Sequence, residues 1–138
     1  MTTATTATSS GTITQIIGST LDAHFAEDQM PALYSALKAE IERTVLGETF
    51  HETLWCEVAQ HLGGGQVRAV ALGSTDGLRR GQSILNTGAP VSVPVGLETL
   101  GRVFNLVGEP IDDRGPVTTK LRLPIHRPAP ELDRKSVV

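Results

Sequence analysis

The sequence predicts a mainly β fold, a small barrel or sandwich built from short antiparallel strands. Two observations carry that expectation. Apolar and polar residues alternate with a period of two through most of the chain up to Val95, as they do in strands with one buried face. Glycine-containing breaks separate those runs at short intervals, which suits tight reversals between neighbouring strands.

The elements follow in chain order. Residues 1–10, MTTATTATSS, form a Thr/Ala/Ser tail with nothing to bury and are expected to be disordered. Thr12 to Ile17 is β-branched and apolar, Gly18-Ser19 is a turn, and Leu21, Ala23 and Phe25 then alternate with Thr20, Asp22 and His24, as in a hairpin. Leu37, Ala39 and Ile41 alternate with Lys38, Glu40 and Glu42. Leu33, Leu37, Ile41 and Val45 also recur every fourth residue, so residues 33–46 read as strand or as amphipathic helix. The surrounding β pattern favours strand.

A turn near Gly47 leads to Leu54, Cys56 and Val58, which alternate with Trp55 and Glu57. After Gly63-Gly64-Gly65, Val67, Ala69 and Ala71 alternate with Arg68 and Val70. The run Gly73-Ser74-Thr75-Asp76-Gly77 is a turn, followed by a short segment around Ile84 and Leu85 and a last extended piece from Val91 to Val95. Pro94 sits near the end of that piece, where a missing N–H does least harm. Beyond Gly96 the pattern changes. Leu97, Leu100, Val103 and Phe104 fit a turn and a half of helix, a Gly/Pro/Asp-rich loop spans Gly108 to Pro116, and an extended tail with few apolar residues runs to Val138. That tail cannot close a core of its own, so residues 96–138 read as the beginning of a second domain whose remainder is absent.

Composition narrows the function. Aromatics are 4% of the 138 residues, so the core must be aliphatic and few platforms exist for stacking bases. Twelve basic against fifteen acidic residues give a net charge of −3, which argues against a nucleic-acid binder. Cys56 is the only cysteine. It cannot form an intramolecular disulfide or a thiolate cluster, and its apolar flanks read as a buried small hydrophobe. The first Lys or Arg is Lys38, which argues against a secretory or Arg-rich targeting segment and for a reducing, cytoplasm-like compartment.

Four blocks of the chain carry a family resemblance. They are ITQIIGSTLDAHF (Ile13 to Phe25), QHLGGGQVRAVALGSTDGLRRG (Gln60 to Gly81), VPVGLETLGRVFNLVGEPID (Val93 to Asp112) and PIHRPAP (Pro124 to Pro130). In order and content they resemble the N-terminal portion of the F-type ATP synthase beta subunit. The second block separates it from the alpha subunit and from flagellar and vacuolar-type relatives. The segment from Lys38 to His51 departs from the family pattern and reads as an enlarged loop between strands.

The resemblance implies a six-stranded antiparallel β-barrel over residues 11–95, followed by the incomplete start of an α/β nucleotide-binding domain at 96–138. The apolar rows Ile13/Ile16, Leu21/Ala23/Phe25, Leu54/Cys56/Val58 and Val67/Ala69/Ala71 would line the barrel. It further implies alpha subunits and other beta subunits as partners in a hexameric ring. That ring would be a peripheral complex on the cytoplasmic side of an energy-transducing, bacterial membrane, touching it only indirectly. ATP or ADP and magnesium are implied as cofactors of the full-length family member, which couples ATP synthesis to proton transport. The family holds its nucleotide phosphates on a P-loop, G-x-x-x-x-G-K-S/T, and no such run occurs in these residues. Lys120 and Lys135, the only lysines after Lys38, do not follow the required glycines. No cofactor is therefore expected in this chain, whose role would be the assembly barrel. The alternative is a stand-alone, non-enzymatic barrel that binds a partner subunit, or an inert truncated gene product.

No catalytic, cofactor-binding or metal residue is nominated. Gly63-Gly64-Gly65 could cup an anion, yet a strand and not a helix follows it, so a turn is the better reading. The hydroxyls and carboxylate of Ser74, Thr75 and Asp76 can bond their own backbone. His24, His51, His61 and His126 lack ligand spacing. Asp112-Asp113, beside Gly115-Pro116, reads as a turn. Arg79-Arg80 is too short for a nucleic-acid patch and suits contact with a neighbouring subunit. Arg68 is expected on the outer surface, where its loss would matter little.

Overall fold

The computed structural model describes residues 8–132. Six strands form a closed antiparallel barrel: β1 (Ser9–Ile17), β2 (Thr20–His24), β3 (Ser35–Val45), β4 (Glu48–Gly63), β5 (Gln66–Ala71) and β6 (Ser83–Pro90). Around the ring the order is β1-β2-β5-β4-β3-β6, with β6 bonded to both β1 and β3. The residues open to either reading, 33–46, are strand from Ser35 onwards. Their every-fourth-residue pattern loses because period-two burial of Leu37, Ala39 and Ile41 fills the barrel, whereas Leu33 and Val45 stay exposed.

The inside is aliphatic, as the alternation requires. Ile13, Leu21, Ala23, Phe25, Leu54, Cys56, Val58, Val67, Ala69 and Ala71 are buried in one core, joined by Leu37, Ala39, Ile41 and Ile84. Ile16 packs against it although it lies three positions after Ile13. A bulge explains the odd spacing. The register shifts between Ile13↔Ala23 and Gln15↔Asp22, so Ile16 comes to face Leu21 on the inside. Gly11 leaves room for the Phe25 ring, since a Cβ there would lie 2.8 Å from the ring and 2.7 Å from the His24 carbonyl oxygen. Gly65 turns β4 into β5 at φ 76°, and a Cβ on it would meet the Phe25 carbonyl oxygen at 2.5 Å.

Several expectations need correction. Ser9 and Ser10, placed in a disordered tail, belong to β1 and pair with Asn86 and Leu85. Ring closure needs β1 this long, and Ser9 is further held by its Oγ donating to Gln29 O and accepting from Asn86 Nδ2. Of the rest of that tail, Thr8 is exposed and outside any strand, and residues 1–7 lie outside the described residues. The segment Lys38 to His51 is not an enlarged loop. β3 and β4 stay paired to Val45↔Glu48 and reverse through Leu46-Gly47, giving a hairpin arm.

The barrel ends at Pro90, not Val95. Pro90 has no N–H with which to extend the ladder. The chain instead forms β7 (Ser92–Val95), which pairs with β8 (Leu121–Pro124) in a separate two-stranded sheet. The expected helix around Leu97, Leu100, Val103 and Phe104 is a single 3-10 turn at Leu97–Thr99. The chain is already extended at Leu100 (φ −64°, ψ 134°), and Leu97, Leu100 and Val103 are exposed, so no buried face sustains a longer helix.

A second, smaller cluster ties this extension to the outside of the barrel. Ala36, Val91 and Val107 are buried together, with Trp55 and Leu72 packed against them. Ala36 faces outwards by the pleat, since its neighbour Leu37 points into the core and the two pair in regular register with Glu57 and Cys56 of β4.

Val67 is 0% exposed in the centre of the aliphatic core. Replacing it with Asp places an unpaired carboxylate there, so Val67→Asp should lose ~3 kcal/mol or more, enough to unfold a marginal domain. Urea denaturation followed by circular dichroism checks this; a variant that melts like the parent would mean the strand register is wrong.

Candidate functional site

The outer face of the barrel holds an organised polar group. Asp22 on β2 and Arg68 on β5 are direct cross-strand partners. Because Leu21, Ala23, Val67 and Ala69 point inwards, the pleat turns Asp22 and Arg68 outwards. Arg68 donates from Nε to Asp22 Oδ1 at 2.8 Å and from Nη2 to Oδ2 at 2.9 Å, a bidentate pair. Asp22 is only 7% exposed, and Thr14 Oγ1 donates to its carbonyl oxygen at 3.2 Å. The guanidinium bonds hold the Asp22 carboxyl below its ordinary value, outweighing the burial that pushes it up.

Arg68 is therefore not an idle surface residue, contrary to the expectation from its position in the alternation. Its removal strands a nearly buried carboxylate. The sequence shows an Asp and an Arg at outward positions, but only strand pairing between residues 46 apart brings them together.

The two polar loops are turns. Gly63, Gly64 and Gly65 all have positive φ and simply reverse β4 into β5. In the loop after β5, Ser74 Oγ accepts from the Asp76 N–H at 3.2 Å and Thr75 Oγ1 donates to Gly18 O at 2.8 Å. Arg43 pins the same loop by donating to the carbonyl oxygens of Ser74 and Asp76, both at 3.2 Å. Arg80 donates from Nε to Thr14 O at 3.0 Å, so it is engaged within its own barrel. With Arg79 it borders a cleft of about 410 Å³ shared with Glu40, Glu42 and His51. Both signs of charge face that cleft, which gives it no clear preference for an anion or a cation.

Where the extension leaves the barrel, three groups fix the chain. Ile125 N–H donates to Val91 O at 3.0 Å. The His126 ring stacks on Tyr34 at 4.2 Å, and its Nε2 lies 3.0 Å from both carboxylate oxygens of Glu57. Tyr34 sits in the left-handed region at φ 66°, with its N–H donating to Val58 O at 2.9 Å. Asp112, read as a turn residue, also holds a bidentate pair with Arg102 at 2.7 and 2.9 Å. It further accepts the N–H groups of Val103 and Arg114. The Arg102 guanidinium, assisted by those backbone bonds, holds its carboxyl well below the usual carboxylate range. Its neighbour Asp113 has φ 55° and makes the turn.

The other candidate residues stay apart. His61 Nε2 lies 2.7 Å from Pro31 O, and His24 and His51 are on different strands and exposed. Burial pushes the Cys56 thiol up to about 12, which suits an inert packing residue. Among the described residues, no group of three or more His, Cys, Asp or Glu side chains could hold a metal. No helix among them is long and apolar enough to cross a membrane.

The Asp22–Arg68 pair carries a pH dependence of defined sign. Asp22 titrates lower in the folded chain than its ordinary value of 3.8, so its pairing contributes stability above about pH 4. That contribution is lost as pH falls through the depressed folded value. Arg68→Ala should lower the thermal midpoint at neutral pH, and the deficit relative to the parent should shrink as the pH falls below 4. Calorimetric melts across that range check this; a deficit independent of pH would mean that the pairing does not stabilise the fold.

Comparison with known families agrees with this geometry. A family model for the β-barrel domain of the ATP synthase alpha/beta family matches residues 13–88. The match lies almost wholly within β1 to β6, the strands that close the barrel. The chain belongs to the ATP synthase alpha/beta family and carries its β-barrel domain.

Proposed function

We propose that this chain is the N-terminal part of an F-type ATP synthase beta subunit, and that its barrel serves assembly. The observation that carries this reading is the coincidence of the family match, residues 13–88, with a closed barrel whose outer face is ordered by a bidentate ion pair. The assignment to beta rests on the Gln60 to Gly81 and Val93 to Asp112 blocks, which resemble that subunit. In such a ring, barrels join side by side and hold the subunits together while the nucleotide-binding portions move. The two-stranded sheet and the loops from Gly96 onwards are the beginning of that portion.

The partners are alpha subunits and further beta subunits, in a peripheral complex on the cytoplasmic side of an energy-transducing membrane. Closure suits a scaffold of this kind, because a barrel exposes no continuous sheet edge at its waist and its neighbours must meet side-chain surfaces. The residues present lack the P-loop lysine and the glycines that would cradle phosphates. The chain's own contribution is structural, and nucleotide chemistry would need a P-loop beyond these residues.

Sedimentation of the purified chain with an alpha subunit from the same source tests the assembly role. A mixed complex should form; separate sedimentation of the two at every concentration would remove that role. Calorimetric titration with magnesium–ATP should show no saturable heat into the millimolar range. Micromolar binding would overturn the reading of the chain as structural.

A further inference from the structure

The alternation that sends Leu37, Ala39, Leu54 and Cys56 into the core leaves Ala36, Lys38 and Trp55 on the outer wall of β3 and β4. Lys38 and Trp55 are direct cross-strand partners, and the Lys38 ammonium lies 4.4 Å from the centre of a Trp55 ring. The extension runs past this wall without closing onto it. Trp55 and the buried trio Ala36, Val91 and Val107 line a cleft of about 370 Å³ between the two. Small-molecule sites begin at about this size, roughly 300 Å³, and are lined, as here, by apolar residues with a few polar groups.

The other side of the cleft is held by Arg122 of β8. Its Nε donates to Ser92 Oγ at 3.2 Å, and its Nη2 donates to the carbonyl oxygens of Ser92 at 2.7 Å and Val107 at 3.2 Å. Gly108 makes room for it, since a Cβ there would lie 3.3 Å from Arg122 Nη2 and 2.5 Å from Pro94 Cδ. Neutral oxygens therefore fix the guanidinium without cancelling its charge. Among the described residues neither Arg122 nor Lys38 is ion-paired. Glu109 is the only carboxylate in the lining, and it accepts from Asn105 Nδ2 at 3.0 Å. Two cations less one carboxylate leave the lining a net charge of +1 above an apolar floor. An adjoining polar hollow shares Lys38, Trp55 and Glu109 and adds Glu52, but that carboxylate pairs with Arg43 at 3.6 Å.

We propose that this cleft binds a small amphiphilic monocarboxylate, one carboxylate on a compact hydrocarbon body. The carboxylate is drawn to Lys38 and Arg122, whose charges have no partner in the chain. The hydrocarbon covers Val91, Val107 and the exposed part of Trp55. Glu109 at the rim disfavours a second negative charge on the ligand.

The test is a titration of the full ¹⁵N-labelled chain with 4-tert-butylbenzoate. Trp55 is the only tryptophan, so its indole N–H gives a single signal beside the cleft. That signal and the amides of Val91 and Val107 should shift saturably. The corresponding neutral alcohol, the corresponding ammonium and plain acetate should each bind at least about tenfold more weakly, and the advantage over the alcohol should fall with added salt. Lys38→Met should remove most of that advantage and Lys38→Arg should restore it. Glu109→Gln should tighten the benzoate and leave the alcohol unchanged. The proposal is overturned if benzoate and alcohol bind alike, if the ammonium binds best, or if the shifts lie away from Trp55. It is equally overturned if Lys38→Met binds as the parent does, or if Glu109→Gln weakens the benzoate.

Discussion

Closure of the sheet by β6, bonded to β1 on one side and to β3 on the other, is the constraint on which the rest of the structure depends. The seam joins residues as far apart as Ser9 and Asn86, so the chain must order nearly the whole barrel before the last ladder forms. Once it forms, period-two alternation on every strand delivers its apolar row to one shared interior. A six-stranded ring has little room inside. This is why four alanines, Ala23, Ala39, Ala69 and Ala71, sit among the larger aliphatic residues of the interior, why Gly11 lies against the Phe25 ring, and why a bulge brings Ile16 back inside after Thr14.

The outer features follow from the ring. Asp22 meets Arg68 because the strand order places β2 beside β5, far apart though they are in sequence. Arg80 reaches the Thr14 carbonyl, and Thr75 reaches Gly18, because the loop between β5 and β6 must cross the β1–β2 end to bring β6 into the seam. Alternation with inward Leu37 leaves Ala36 on the outside, and that residue, with Val91 and Val107, anchors the extension to the barrel wall. His126 is then held at the exit by Tyr34 and Glu57.

Much of this was legible in the sequence, for a physical reason. Strands with one buried face must alternate, so the rows Leu21/Ala23/Phe25, Leu54/Cys56/Val58 and Val67/Ala69/Ala71 identify both the strands and their inner faces. The motif blocks add the family, and the polar turns are read correctly because glycine and Asx chemistry is local. What was hidden is non-local. Arg68 looks like a solvated surface residue until its partner on β2 is known. Ser9 and Ser10 have no apolar signal, and only the requirement of closure makes them strand. The arm reads as a loop because its outer half has lost the alternation of a buried face while keeping its hydrogen bonds. Leu97 to Phe104 has helical spacing, but spacing alone cannot form a helix that buries nothing.

The functional reading rests on the same constraint, since a barrel that serves as a joint in a ring must hold its shape as one cooperative unit. Native-state amide exchange tests this most directly. The Ile13 N–H, which donates across the seam to Gln82 O, reports on closure, and the amides of Val67 to Ala71 report on the opposite wall. If closure holds the ring together, both exchange only through the same global opening, with equal free energies that match the denaturant-derived stability. If Ile13 and its seam neighbours open separately at much lower free energy while Val67 to Ala71 stay protected, the ring is not a single unit and its closure cannot be what the structure depends on.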